Sequence, residues 1–248
     1  MFTKLRLFYF LLFIFFVIST LPARTALSFI PNSVGLKANG VSGSVWNGSA
    51  ASLFLRGQSI NNVEWSINPF YIFTGKVGGS VVIDDSRAEI DGSWKAGFDG
   101  TLYADNLFVK MNAEHIEAFL PMRNVKLQGN ILAEINELAF SQEQGPLALD
   151  AKINWNNSAA SIAGPMISLG NFSFMAEQTE SNQTRLLALP SKNLVDLKGQ
   201  LIVNWPSTVN VDFSMTEDVP EQLKSTIAFL KKGDDGRRVF QAELPLRR

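Results

Sequence analysis

The sequence predicts a mainly β chain: an N-terminal transmembrane helix, then a curved, largely antiparallel β-sheet domain with one or two short helices. Three observations predict it. Apolar and polar residues alternate with period two in many separate windows, the mark of strands buried on one face and wet on the other. Glycine recurs just ahead of large apolar residues along those windows. Residues 7–23 are apolar on every side, unlike any later part of the chain.

The N-terminal segment comes first. Lys4 and Arg6 precede the apolar run 7–18, which continues through Ser19, Thr20, Leu21 and Pro22 to Ala23 before Arg24 ends it. At about 1.5 Å per residue, positions 7–23 span roughly 25 Å, the short end of a membrane-spanning helix and longer than a usual signal-peptide core. Signal cleavage wants a small residue on either side of the one before last. The pairs on offer, Leu21/Ala23, Ala23/Thr25 and Arg24/Ala26, do not make a good site, so the segment is expected to stay as an anchor. Lys4, Arg6 and the amino terminus outweigh Arg24 and Lys37 after it. Residues 1–6 are then a cytoplasmic tail, 7–24 the anchor and 25–248 a periplasmic β domain.

The strands carry the remainder. Ala88, Ile90, Trp94, Ala96 and Phe98 alternate with Glu89, Asp91, Ser93, Lys95 and Asp99. Leu147, Leu149, Ala151, Ile153 and Trp155 alternate with Asp150, Lys152 and Asn154. Leu197, Leu201, Val203 and Trp205 stand opposite Lys198, Gln200 and Asn204, and Val209, Val211, Phe213 and Met215 opposite Asn210, Asp212 and Ser214. A glycine, a small or polar residue and a large apolar one head several of these runs: Gly43-Ser44-Val45, Gly79-Ser80-Val81, Gly92-Ser93-Trp94, Gly100-Thr101-Leu102, Gly129-Asn130-Ile131 and Gly199-Gln200-Leu201. Such repetition suits one extended sheet built strand by strand, and glycine inside strands permits the bends and bulges that curve it.

Two segments read as helices. Asn112 caps one over 113–120 that Pro121 stops. Asp218 caps a longer one in which Val219, Leu223, Ile227 and Leu230 form an apolar stripe and Lys231-Lys232 precede Gly233 at its end. With no Pro- or Ser-rich linker, the exported part reads as one domain.

Composition narrows the chemistry. A net charge of −1 and a pI near 5.9 leave no basic excess for a run of phosphates, so nucleic acid is not an expected partner. There is no cysteine, and the single histidine, His115, lacks the companions a zinc site needs. Gly40-Val41-Ser42-Gly43-Ser44 misses the hydrolase elbow at its last position, and Gly75-Lys76-Val77-Gly78-Gly79-Ser80 has the wrong order for a phosphate loop and reads as a hairpin turn. Asp84-Asp85 and Asp234-Asp235 lack the alternating oxygens of a calcium loop and read as solvated turns. No catalytic, metal or cofactor residue is therefore expected. Five tryptophans fall in or at the ends of strand-like runs, where core is the ordinary role. If the sheet curves, Trp46, Trp65 and Trp155 are the candidates to line a groove or meet a partner.

One resemblance joins these observations. Val41-Ser42-Gly43-Ser44-Val45-Trp46-Asn47-Gly48-Ser49-Ala50, followed by Val63-Glu64-Trp65-Ser66-Ile67-Asn68-Pro69, resembles the opening of the type II secretion system protein N family (general secretion pathway protein N). The likeness continues through Ile116-Glu117-Ala118-Phe119-Leu120-Pro121, Leu127-Gln128-Gly129-Asn130-Ile131 and Ile153-Asn154-Trp155, and covers nearly the whole chain. It implies a single-pass accessory protein of the bacterial inner membrane that supports export of folded proteins across the outer membrane through contacts with other secretion components. It supplies no catalytic residue. AsmA-like proteins, which handle lipid, share the Gly-headed strand style, so a periplasmic lipid-binding or lipid-transfer module is the alternative.

Overall fold

The period-two windows become antiparallel strands in the computed structural model, which describes residues 6, 8–10, 13, 16–17, 19–29, 31, 35–55, 58–119, 125–162 and 164–246. The chain divides into two compact units, Met1–Ser86 and Arg87–Arg248.

The first unit holds helix α1 (Ala23–Ser28) and strands β1 (Leu36–Asn39), β2 (Ser42–Gly43), β3 (Asn47–Leu55), β4 (Gln58–Ile67) and β5 (Lys76–Asp85). The strands lie in the order β1-β3-β4-β5, all antiparallel, with β2 also on β3. Gly48 pairs directly with Trp65, and the absent Cβ leaves the indole room to lie across β3. Asp85, expected in a solvated turn, is instead buried: its carboxylate accepts from the Asn61 backbone N–H and side-chain amide, both at 2.8 Å, which ties the end of β5 to β4. The stretch 75–80 is not a hairpin turn either. Gly75, at φ 73°, closes a 3-10 helix over Pro69–Thr74, and Lys76 already begins β5.

Of the expected span 7–24, positions 7, 11, 12, 14, 15 and 18 lie outside the described residues. Described positions between Arg6 and Ser19 are helical, and Phe8, Tyr9, Phe10, Phe13, Phe16 and Val17 are all exposed. Among the described residues no helix is long and apolar enough to cross a membrane. Pro22 is extended and bridges Ser44, and the Val45 N–H donates to the Leu21 carbonyl at 3.0 Å. Ala23 and Arg24 belong to α1.

The second unit holds β6 (Ala88–Gly97), β7 (Thr101–Asn112), β8 (Val125–Ser141), β9 (Gly145–Ile162), β10 (Ile167–Glu180), β11 (Gln183–Leu189), β12 (Lys198–Asn204), β13 (Thr208–Met215), helix α2 (Glu221–Ile227), β14 (Lys231–Lys232) and β15 (Arg238–Pro245). Chain neighbours pair from β6 to β13; β15 then follows β13, and β14 lies at the edge. The alternating sequence windows match β6, β9, β12 and β13 closely.

Three expectations need correction. Gly79, Gly92 and Gly129 lie within strands, not at their heads. Register shifts at Gly92 and Gly129 mark them as bulge sites, where a Cβ would strike the neighbouring strand. The segment after Asn112 is a 3-10 helix, Ala113–Phe119, because tertiary contacts hold it against β8: the Glu117 carboxylate accepts from the Leu127 N–H at 2.7 Å and from Lys126 at 3.0 Å. Its expected stop at Pro121 lies outside the described residues. Helix α2 starts at Glu221 behind Pro220, not at an Asp218 cap, since the Asp218 N–H is turned to the Thr216 hydroxyl; Lys231-Lys232, expected at its end, form β14.

Packing is uneven. The buried apolar positions along the strands are mostly alanines, such as Ala50, Ala104, Ala139, Ala151 and Ala176, while Val82, Leu102, Phe108 and Met175 stay substantially exposed. Large side chains gather in one place: Phe172, Val195, Val219, Leu223 and Ile227 form the principal buried cluster, in the second unit.

Candidate functional site

That cluster is the floor of an open apolar groove of about 470 Å³. It is built by strands of unlike phase. Ile167 and Leu169 reach it from odd positions of β10, but Phe172 and Phe174 reach it from even ones, because the register shifts around Gly170 reverse the alternation. The shift is pinned from β9. Ser158 is fully buried and its hydroxyl donates to the Gly170 carbonyl at 2.8 Å, while the Asn171 side-chain oxygen accepts from the Asn157 N–H at 2.8 Å.

The connection between β11 and β12 supplies the next wall. It runs back along β10, with the Asn171 N–H donating to the Lys192 carbonyl and the Leu194 N–H to the Leu169 carbonyl, each at 2.8 Å. Asn193 fixes the bend by accepting from the Leu197 N–H at 3.0 Å. Val195 and Leu197 are thereby set into the groove. Helix α2 closes the far side with Leu223 and Ile227, the expected stripe, and Met215 enters from the end of β13.

Aromatic rings give the groove its stiffness. Trp155 stacks on Phe172 with centroids 5.6 Å apart and planes at 27°, and Phe172 on Phe174 at 6.3 Å and 13°. The indole N–H of Trp155 donates to the Gln128 carbonyl at 2.9 Å, so the ring is oriented and its one polar atom satisfied. Beneath it, Gly129 at φ 111° leaves the space the indole occupies.

Of the three expected tryptophans, only Trp155 lines this groove. Trp65 lies in the first unit, its indole N–H donating to the Val45 carbonyl at 3.0 Å, and Trp46 lies just before β3, where its carbonyl accepts from the Ile67 N–H at 2.6 Å. Phe172, Phe174 and the 191–197 connection were missed. Paired aromatics at 172 and 174 are visible in the sequence; the phase change that puts them beside Ile167 and Leu169 is not.

No charged residue is among the described residues lining the groove. Glu217 is paired with Lys232 at 2.8 Å and Arg238 at 2.8 Å, and these cations, Lys232 foremost, hold its carboxyl below the usual range. Asp196 is held down likewise, first by its hydrogen bond from Arg237 at 2.7 Å. Among the described residues no cluster of His, Asp or Glu could hold a metal ion.

The strands and the groove make an antiparallel β-sheet with an open, concave, apolar surface. That is the class of protein the fold defines: a mainly antiparallel β-sheet scaffold with an apolar groove. The chain belongs to the family described as type II secretion system (T2SS), protein N, whose model matches residues 34–241. It is 23% identical over 245 residues to the type II secretion system protein N of Vibrio cholerae serotype O1, covering 92% of each chain, and 22% identical over 240 residues to that of Aeromonas hydrophila, covering 94% of this chain and 91% of the other. No solved structure matches it.

Proposed function

We propose that this chain is an accessory component of the type II secretion pathway, anchored in the inner membrane by its N-terminal segment, with residues 25–248 in the periplasm. It acts by protein–protein contact and performs no catalysis. The family match over 34–241 carries the reading. The groove at Trp155 is the contact surface in this proposal: large apolar side chains left half-exposed over a rigid floor are what a partner's apolar segment would cover. The exposed aromatics at Phe8, Tyr9, Phe10, Phe13 and Phe16, on successive faces of a helix, support the anchor.

The test is in-cell photocrosslinking with a photoreactive residue at Trp155 and, separately, at Trp46 and Trp65. Capture of inner-membrane secretion proteins from the Trp155 position is expected. Capture of lipid alone from that position would overturn the assembly role in favour of a lipid-handling module.

A further inference from the structure

In the first unit, the 3-10 helix Pro69–Thr74 presents an apolar surface that its own unit leaves uncovered. Phe70 is 72% exposed, Phe73 87% and Ile72 46%. No charged residue occurs between Glu64 and Lys76. Much of this turn's hydrogen bonding is local. The Phe70 N–H donates to the Asn68 side-chain oxygen at 3.0 Å, the Tyr71 N–H to the Asn68 carbonyl, the Thr74 hydroxyl to the Tyr71 carbonyl at 2.7 Å and the Gly75 N–H to the Ile72 carbonyl. Backbone groups paired within the turn lower the cost of entering an apolar medium.

Its position points to the medium. The Ile67 N–H donates to the Trp46 carbonyl, and the adjoining Val45 N–H donates to the Leu21 carbonyl, where the N-terminal apolar segment ends. The turn therefore leaves the sheet at the same end as that segment. Charge does not oppose it: residues 25–86, the part of this unit beyond the anchor, carry Lys37, Arg56 and Lys76 against Glu64, Asp84 and Asp85, a net of 0 with no acidic residue before Glu64, whereas the sixteen basic and twenty acidic residues of Arg87–Arg248 give a net of −4.

We infer that Pro69–Thr74 is a membrane-docking turn, in which Phe70, Ile72 and Phe73 enter the headgroup–acyl boundary of an anionic phospholipid bilayer and fix the first unit against its surface. The inference rests on the reading of 7–24 as a membrane anchor. Aromatic side chains favour that boundary, and Lys76, which directly follows the turn, suits its anionic headgroups.

The experiment uses the full chain, which has no cysteine of its own, carrying Phe73→Cys or Ser86→Cys. Ser86 follows β5 at the end away from the turn, roughly 30 Å along the strand. Each variant is labelled with an environment-sensitive fluorophore and reconstituted with vesicles of phosphatidylethanolamine and phosphatidylglycerol, with or without brominated acyl chains. Flotation reads the anchor and quenching reads the turn. The expected result is co-flotation of both variants, with emission from position 73 shifted to the blue and quenched by bromine while emission from position 86 is unchanged. Co-flotation without quenching at 73 would overturn the docking turn and leave the anchor standing; failure to float would overturn the anchor and the turn with it. A photoreactive residue at Phe73 that captures protein and no lipid in cells would also overturn the proposal.

Discussion

At the scale of single residues, glycine does two different jobs that composition cannot separate. Gly199 sits at φ 124°, with the Asp212 carbonyl where a Cβ would go; Gly100 sits at φ 80° with open space around it. Gly199→Ala therefore meets both backbone strain and a main-chain clash and is expected to cost about 3 kcal/mol, against about 1 kcal/mol for Gly100→Ala. Thermal unfolding midpoints of the two variants check this; equal losses would mean that the close approach at Gly199 relaxes freely. The sequence shows both glycines in the same Gly-polar-apolar setting. What differs is the partner strand, which only the fold supplies. Tryptophan behaves alike: Trp65 and Trp155 each bond to a backbone carbonyl and lie against a glycine, yet only Trp155 opens onto a groove.

At the scale of elements, the edge hairpin is the most testable. Strand β14 pairs only with Val239 and Arg238, and the Leu246 N–H donates to the Ser207 carbonyl while the Arg237 carbonyl accepts from Gly233. By alternation, even positions of β15 turn their backbone groups toward β13 and odd positions turn away. Gln241→Pro is accordingly expected to cost about 1 kcal/mol, and Ala242→Pro, which deletes a ladder bond, about 2 kcal/mol more; chemical denaturation midpoints of the two variants decide it. The same hairpin is tied down by Glu217 and Asp196, whose carboxyls the nearby cations hold below their ordinary values of 4.5 and 3.8. A depressed carboxyl means that the folded state binds fewer protons than the unfolded chain in acid. The stabilisation is complete above those ordinary values and is lost as pH falls through the lower folded ones. Unfolding midpoints measured downward from pH 5 should fall, and Glu217→Gln should make the decline shallower. Identical slopes would show that these pairs are too well solvated to matter.

At the scale of the whole molecule, the proposed topology predicts which side of the membrane each part faces. With the native chain free of cysteine, Ser42→Cys is expected to react with a membrane-impermeant maleimide once the outer membrane is permeabilised, and Thr3→Cys only after the inner membrane is broken. Labelling of both in the first condition would mean that the N-terminus is exported. Charge belongs to this scale too: residues 25–86 are neutral overall and Arg87–Arg248 carries −4, so an anionic surface repels the second unit more than the first. The apolar side chains at Phe70 and Phe73, which interrupt the period-two pattern right after Pro69, were readable as an anomaly but not as an exposed turn.

Local pattern by itself determined the antiparallel strand architecture, because side chains alternate across a strand whatever it pairs with, and helical spacing located the apolar stripe Val219, Leu223 and Ile227. The resemblance carried by residues 41–50 and 63–69 pointed to the family that the match over 34–241 shows. Only the tertiary structure decided where the groove lies. Its lining depends on the phase reversal at Gly170, on a connection that folds back from β11 to β10, and on a buried Ser158 holding both in register. Each of these is a bond between residues distant in sequence, and a period-two pattern, being local, carries no information about them.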